Sequence, residues 1–138
     1  MVKELIHDPI LLAIKSENAT KEDIEHANDL LETLIFHKES CVGMAGNMIG
    51  VQKRIIAFLD VGGKYTVMFN PKIIKSSEPY DTEEGCLSLL GGPRKCKRYK
   101  KIRVEYQTLE FKTKTKVYDG FTAQIIQHEI DHCNGVLI

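Results

Sequence analysis

The sequence has no apolar run close to the roughly 20 residues that a membrane-spanning helix needs. The apolar stretch at residues 9–14 is too short, and Lys15 and Glu17 follow it. The sequence also lacks the cleavage-site pattern of a signal peptide. We therefore expect a cytoplasmic protein that has no membrane partner.

The sequence has no net charge either, because 19 basic residues balance 19 acidic ones. This balance argues against a protein that binds nucleic acid through bulk charge, and no direct readout of nucleic acid is expected. The one local excess of basic residues, at positions 94–101, is typical of a solvated loop or an edge strand.

The four cysteines do not indicate disulfides. Cys41, Cys86, Cys96 and Cys133 have spacings that fit no small disulfide framework. Thiols also stay reduced in the cytoplasm. The cysteines are therefore interpreted as free thiols or metal ligands.

The length and the hydrophobic patterns predict a single α+β domain over residues 1–138. Apolar residues at helical spacing predict a helix from about Thr20, its N-cap, to His37. A last helix is expected from about Asp119 to Gly135. Pro71 is expected to end its strand or to place it at an edge. Extended segments are predicted at residues 54–60, 65–70, 72–75, 101–109 and 113–117. The expected architecture is antiparallel strands around a central C-terminal helix, with an N-terminal helix.

The last helix carries His-Glu-x-x-His at residues 128–132. Histidines four residues apart share one face of a helix, so His128 and His132 can bind one metal ion. Glu129 projects beside that ion, where it can move a proton of water. The pattern favours metal-assisted hydrolysis. The alternative is a solvated helix face on which this spacing occurs by chance.

A catalytic metal site usually takes a third protein ligand and leaves one position for water. The best source is Cys86 in the segment Glu-Gly-Cys-Leu-Ser, because the preceding glycine lets the backbone approach closely. A thiol beside a divalent cation is deprotonated. Taken alone, a cysteine is more often a small buried hydrophobic residue.

Three segments resemble, in order, the motifs of the peptide deformylases. Residues 84–88, Glu-Gly-Cys-Leu-Ser, match one family motif fully, and residues 127–132, Gln-His-Glu-Ile-Asp-His, match another. Residues 41–50, Cys-Val-Gly-Met-Ala-Gly-Asn-Met-Ile-Gly, are a partial match to the family's Gly-x-Gly-Leu-Ala-Ala-x-Gln. Two full motifs in the family's order are highly specific.

The resemblance implies a role for each matching residue. Cys86, His128 and His132 would be the metal ligands. Glu129 would be the general base and later the acid that protonates the leaving amine, while the backbone N–H of Leu87 would donate to the formyl oxygen. The residues expected to border the pocket for the methionine side chain are Val42, Gly43, Phe121, Gln124 and Ile125.

Three expectations concern residues around these motifs. Glu84 and Arg98 are expected to pair and to support the metal ligands. Asp131 does not share the face of the ligands, so it is expected to aid solubility or to bond to a group behind them. His7 has no predicted role.

The first motif departs from the family at Met48, which stands where the family has glutamine. That glutamine donates to the oxyanion, and a thioether cannot donate. The loss of one such donor typically costs about 2.7–4 kcal/mol. Two nearby amides are poorly placed to replace it, since Asn47 should point to the opposite face and Gln52 lies further along the chain. Leu90 replaces another family residue, a proline.

The resemblance implies a metal-dependent hydrolase that removes the N-formyl group from the N-terminal methionine of newly made proteins. Its partners would be formyl-methionyl peptides or nascent chains, with transient contact to the ribosome. Iron(II) is the favoured metal, while zinc, nickel and cobalt also suit one thiolate and two imidazoles. Because of Met48, two alternatives stay open: a diverged hydrolase with another small N-acyl substrate, and a metal-retaining binding protein with little activity.

Overall fold

The computed structural model describes residues 1–89 and 91–138, so the substitution at Leu90 lies outside the described residues. Two 3₁₀ turns, Lys21–Asp23 and Gly46–Ile49, stand among the regular elements. The helices and strands are, in chain order, α1 (Pro9–Leu12), α2 (Ile24–Phe36), β1 (Gly43–Ala45), β2 (Ile55–Leu59), β3 (Tyr65–Glu84), β4 (Arg94–Gln107), β5 (Thr113–Asp119) and α3 (Gly120–Cys133).

The start of the first predicted helix is a tighter turn than expected. Thr20 caps the 3₁₀ turn rather than α2 itself, because its hydroxyl accepts from the N–H of Glu22 at 3.3 Å. The carboxylate of Asp23 accepts in return from the N–H of Thr20 at 2.8 Å. This reciprocal capping box satisfies N–H groups that have no partner within a helix. The predicted helix is otherwise confirmed, since α2 ends at Phe36.

The end of α3 requires a glycine, as the sequence predicted. Gly135 has φ +75°, a left-handed conformation that side chains with a Cβ disfavour. A Cβ at this position would also lie 2.4 Å from the carbonyl oxygen of Ala13. The chain after α3 can therefore pass directly against the segment that follows α1.

All five strands form one antiparallel sheet in the order β1-β2-β3-β4-β5. The expectation that Pro71 ends its strand is wrong, because β3 runs through it to Glu84. The alternative, an edge position, agrees with the pairing, because β2 pairs with β3 only up to Phe69. The register between β3 and β4 shifts between Phe69 and Lys72. Such a bulge leaves a residue out of the ladder, so a residue without an N–H is tolerated there.

The basic segment at residues 94–101 lies on β4, largely as an edge strand. Only from Lys101 onward does β5 pair with β4. Before that point, the side-chain amide of Gln127 on α3 forms two hydrogen bonds to the backbone of Tyr99. Its oxygen accepts from the N–H of Tyr99, and its nitrogen donates to the carbonyl oxygen of Tyr99, each at 2.8 Å. On the other side, Lys95 stands opposite Glu83 and Lys97 opposite Asp81. Of the two interpretations of this basic segment, the edge strand is confirmed.

Two hydrophobic clusters cover opposite faces of the sheet. Ile56 and Phe58 pack with α3, whereas their neighbours Ile55 and Ala57 pack with α2. This alternation places β2 between the two helices, and the predicted α+β architecture is confirmed. No helix in the described part of the chain combines the length and the apolar character needed to cross a membrane.

Candidate active site

Three predicted ligands meet where the end of β3 faces α3. Cys86 follows β3, and His128 and His132 lie one turn apart on the inner face of α3. The sulfur of Cys86 and one nitrogen from each ring all lie within 4.8 Å of one another. The two Nε2 atoms are 3.0 Å apart. Residues that are about 40 positions apart in sequence thus present one soft and two borderline donors to a common point.

The chemistry of these donors fits a single divalent metal ion. Nδ1 of His128 donates to Oε1 of Glu84 at 2.7 Å, which leaves Nε2 as the ligand atom. Burial lowers the pKa of His128, but its bonds to Cys86 and Glu84 outweigh burial and raise that pKa to about 10. Burial and the charge on His128 lower the pKa of His132 to about 3. A thiol sulfur and two imidazole nitrogens at this spacing form the donor set of a catalytic divalent metal site.

Glu129 is a buried acid beside the ligands. It is 3% exposed, and its Oε1 makes no hydrogen bond to the described residues. Burial is the main cause that raises the pKa of Glu129 to about 7. Gly43 packs directly on it, since a Cβ at Gly43 would lie 2.9 Å from Oε2 of Glu129 and 2.6 Å from Ile125. The carboxyl group therefore has an unpartnered oxygen and can carry a proton near neutral pH.

The predicted pair of Glu84 and Arg98 is present behind His128. Nη2 of Arg98 donates to Glu84 at 2.7 Å, and Nε donates at 3.0 and 3.1 Å. Nη1 of Arg98 donates to Asp131 at 2.7 Å. Of the two roles expected for Asp131, the geometry therefore supports a bond to a group behind the ligands. Burial raises the pKa of Glu84, but hydrogen bonds from His128, Arg98 and Gln124 outweigh burial and lower it to about 2. The carboxylate thus stays ionised and orients the His128 ring.

A cavity of about 490 Å³ opens in front of these groups. Phe121 is 64% exposed, at the start of α3. The predicted site residues that line the cavity are Val42, Gly43, Met48, Cys86, Leu87, Phe121, Gln124, Ile125, His128 and Glu129. His132 is not among the lining residues and lies behind them. The structure thus brings together every residue that the motifs indicated.

Met48 offers no donor to this cavity. It is 1% exposed, and its sulfur accepts from the N–H of Ala45 at 3.4 Å. The amide of Asn47 donates instead to the carbonyl oxygen of His132 at 2.9 Å. Gln52 is exposed and does not line the cavity. The prediction that neither amide replaces the family's glutamine is therefore consistent with the geometry.

Three contacts at the site were not foreseen. Tyr80, on β3, donates its hydroxyl hydrogen to Oε1 of Gln124 at 3.3 Å. His7 donates from Nδ1 to the carbonyl oxygen of Ser88 at 3.1 Å, in the loop that carries Cys86. The thiol of Cys41 donates to the carbonyl oxygen of Gly43 at 2.9 Å. The first two contacts join distant segments, so no local pattern could reveal them. All four cysteines, each among the described residues, are free thiols as predicted.

Comparisons with known proteins agree over nearly the whole chain. The family model described as polypeptide deformylase matches residues 4–138. A peptide deformylase of Clostridium beijerinckii is 51% identical over 138 residues, which is all of both chains. A peptide deformylase of Dictyoglomus thermophilum is 37% identical and covers all of this chain and 91% of its own.

Solved structures give the same result. The crystal structure of peptide deformylase from Thermotoga maritima has a TM-score of 0.87 at 29% identity, covering 99% of this chain and 95% of that one. A class I type b peptide deformylase from Acinetobacter baumannii, with Met-Ala-Ser bound, has a TM-score of 0.87 at 27% identity. That match covers 99% of this chain and 97% of the other.

Proposed function

The chain belongs to the polypeptide deformylase family, and on that premise we propose that it hydrolyses the N-formyl group from the N-terminal methionine of newly made proteins. The observation that carries this proposal is the convergence of Cys86, His128 and His132 beside the buried carboxyl group of Glu129. The family and fold predicted from the sequence are confirmed by the matches. These matches do not favour the two alternatives, a diverged hydrolase and a binding protein.

Cys86, His128 and His132 would hold one divalent metal ion. We favour iron(II), because the resemblance to the family favours it. Zinc, nickel and cobalt are alternatives, because one thiolate and two imidazoles suit all four metals. When bound, the metal supplies Lewis acidity that activates water and polarises a carbonyl group. Glu84 supports the site by accepting from Nδ1 of His128 at 2.7 Å, which fixes the tautomer and the orientation of the ring.

Glu129 would move the proton in both halves of the reaction. Water adds to the formyl carbon while Glu129 removes its proton, and Glu129 then gives that proton to the nitrogen as the carbon–nitrogen bond breaks. The products are formate and a free amino terminus. A pKa raised to about 7 suits both directions, because the carboxyl group can then accept and donate near neutral pH.

The negative charge that develops on the formyl oxygen needs a donor placed in advance. We assign this role to the backbone N–H of Leu87, because Leu87 lines the cavity next to Cys86. Met48 cannot add a second donor, because its thioether only accepts. The oxyanion therefore has one donor fewer than the family motif provides.

The methionine side chain would occupy the part of the cavity bordered by Val42, Gly43, Phe121, Gln124 and Ile125. These side chains present mostly apolar atoms, which suit an unbranched thioether. The relative with Met-Ala-Ser bound supports a peptide that begins with methionine. We propose formyl-methionyl peptides or nascent chains as partners, transient contact with the ribosome, and a cytoplasmic location, where cysteines stay reduced.

Release of formate from formyl-Met-Ala-Ser tests the proposal, with iron kept reduced and metal content measured by elemental analysis. We expect turnover that requires about one metal ion per chain. The Glu129→Gln variant should keep the metal but lose turnover, whereas Cys86→Ala should lose both. A folded protein that binds metal without releasing formate would instead support the binding-protein alternative.

A further inference from the structure

We propose that Tyr80 is a specificity-determining residue, because it holds the amide of Gln124 away from the substrate pocket and so lets a polar residue form part of an apolar wall. The inference rests on the proposed function, since it assigns the methionine side chain to this pocket. Neither Tyr80 nor its contact belongs to the motifs that identify the family.

The geometry determines which way the Gln124 amide points. Gln124 lies on α3, one turn before His128, and lines the cavity. Its Nε2 is 2.9 Å from Oε2 of Glu84, and its Oε1 is 3.3 Å from the hydroxyl of Tyr80. Glu84 accepts from the guanidinium group of Arg98 on the same carboxylate, so the amide nitrogen of Gln124, which is a donor, faces it. The amide oxygen must therefore face Tyr80, whose hydroxyl donates.

The amide oxygen is thus bound to Tyr80, which does not line the cavity, and the amide nitrogen to Glu84 on the cavity wall. Glu84 cannot move to release it, because Arg98 and His128 also bond to the same carboxylate. Gln124 consequently offers its methylene groups to the pocket beside Phe121 and Ile125. A substrate side chain with its own N–H donors would find no free acceptor at this position.

Discrimination follows from the cost of burying an unpaired polar group. Norleucine and glutamine have similar lengths, but only glutamine carries an amide. The intact pocket should therefore favour norleucine strongly. Removing the Tyr80 hydroxyl leaves Oε1 of Gln124 without its donor, and a glutamine N–H can then take the place of that hydroxyl.

The test compares kcat/KM for formyl-norleucyl-Ala-Ser and formyl-glutaminyl-Ala-Ser. Tyr80→Phe should lower the norleucine preference by about fivefold, the effect of one neutral hydrogen bond. The change should appear in KM, with kcat for the norleucine peptide nearly unchanged. Gln124→Leu should raise the preference instead. Tyr65→Phe is the matched control, because it removes a hydroxyl at the far end of the same strand.

Two results would overturn the inference. One is an unchanged preference in a folded, metal-loaded Tyr80→Phe variant. The other is an equal loss of kcat for both peptides, which would mean that Tyr80 acts only through the support of His128. The same preference can be read without turnover from calorimetric affinities for the product peptides Nle-Ala-Ser and Gln-Ala-Ser. If formate is never released while these affinities shift as expected, the proposed function fails and the pocket inference stands.

Discussion

Replacing Arg98 by alanine should weaken the fold and the metal site together. Arg98 is 4% exposed, and its guanidinium group donates to Glu84 and to Asp131, each with a shortest distance of 2.7 Å. In the variant, Glu84 would remain a buried carboxylate that has lost the guanidinium group that donates to it. Asp131 is partly exposed, so water can replace part of what it loses.

The expected magnitude follows from the burial of this pair. Removing one partner of a buried ion pair costs about 3–5 kcal/mol, because the other charge stays desolvated. Domains of this kind are stable by only about 5–15 kcal/mol, so the loss is a large share of the total. Glu84 also orients His128, and loss of such a support typically weakens metal binding by about 10–100-fold.

Urea denaturation of the metal-free protein measures the first effect, and competition for zinc with a chelator measures the second. Arg103→Ala is the matched control, because it removes an exposed arginine from the same strand. A double variant, Glu84→Gln with Arg98→Met, separates the two effects. It should regain much of the stability, since no buried carboxylate is left without its partner, but it should still bind zinc weakly.

The reasoning would be refuted if Arg98→Ala unfolded at the same urea concentration as Arg103→Ala and held zinc as tightly as the unchanged protein. Tight zinc binding by the double variant would refute the second half alone. It would mean that His128 needs no ionised partner to serve as a ligand.

Three further changes test other parts of the site. Met48→Gln should raise kcat on formyl-Met-Ala-Ser, toward the roughly hundredfold that one oxyanion donor provides; an unchanged kcat in a folded variant would contradict the role of this position. Phe121→Ala should raise KM several-fold with little change in melting temperature, because the ring is 64% exposed and its loss leaves no buried cavity; equal KM values would remove Phe121 from the pocket. The stability contributed by ionised Glu84 should be complete above its unfolded pKa of about 4.5 and be lost as the pH falls toward its folded pKa of about 2. Metal-free Glu84→Gln should therefore lose less stability than the unchanged protein across this pH range, and identical acid profiles would show that the pKa of Glu84 is not lowered by folding.

Local patterns sufficed for the elements that carry the ligands. The spacing of His128 and His132 places both on one face of any helix, and Gly135 ends that helix for reasons of backbone conformation alone. Alternating or continuous apolar residues likewise indicated β2, the first half of β3, the second half of β4 and most of β5, but not β1 or the end of β3. The continuation of β3 through Pro71 was not visible, because a strand tolerates proline at a bulge or on an unpaired edge, and both depend on the pairing with β2 and β4.

The support of the site depends on register, which a single sequence does not reveal. Tyr80 and Arg98 stand directly opposite each other on β3 and β4, although neither lies in a ligand motif. A slip of either strand by one residue would turn its own side chain of this pair to the other face of the sheet. The pairing of Glu84 with Arg98 could be expected from the family, but the contact of Tyr80 with Gln124 needs this register and the docking of α3 as well.

Glu84 links the two functions of the site through one carboxylate. Its oxygens accept from Arg98 on β4 and from both His128 and Gln124 on α3. The orientation of a metal ligand and the shape of the pocket wall therefore depend on the same acceptor. A substitution at Gln124 changes the donors around Glu84, so its effect can reach the metal as well as the substrate. For this reason a change in KM at Gln124 is evidence about the pocket only when the metal affinity of the variant is unchanged.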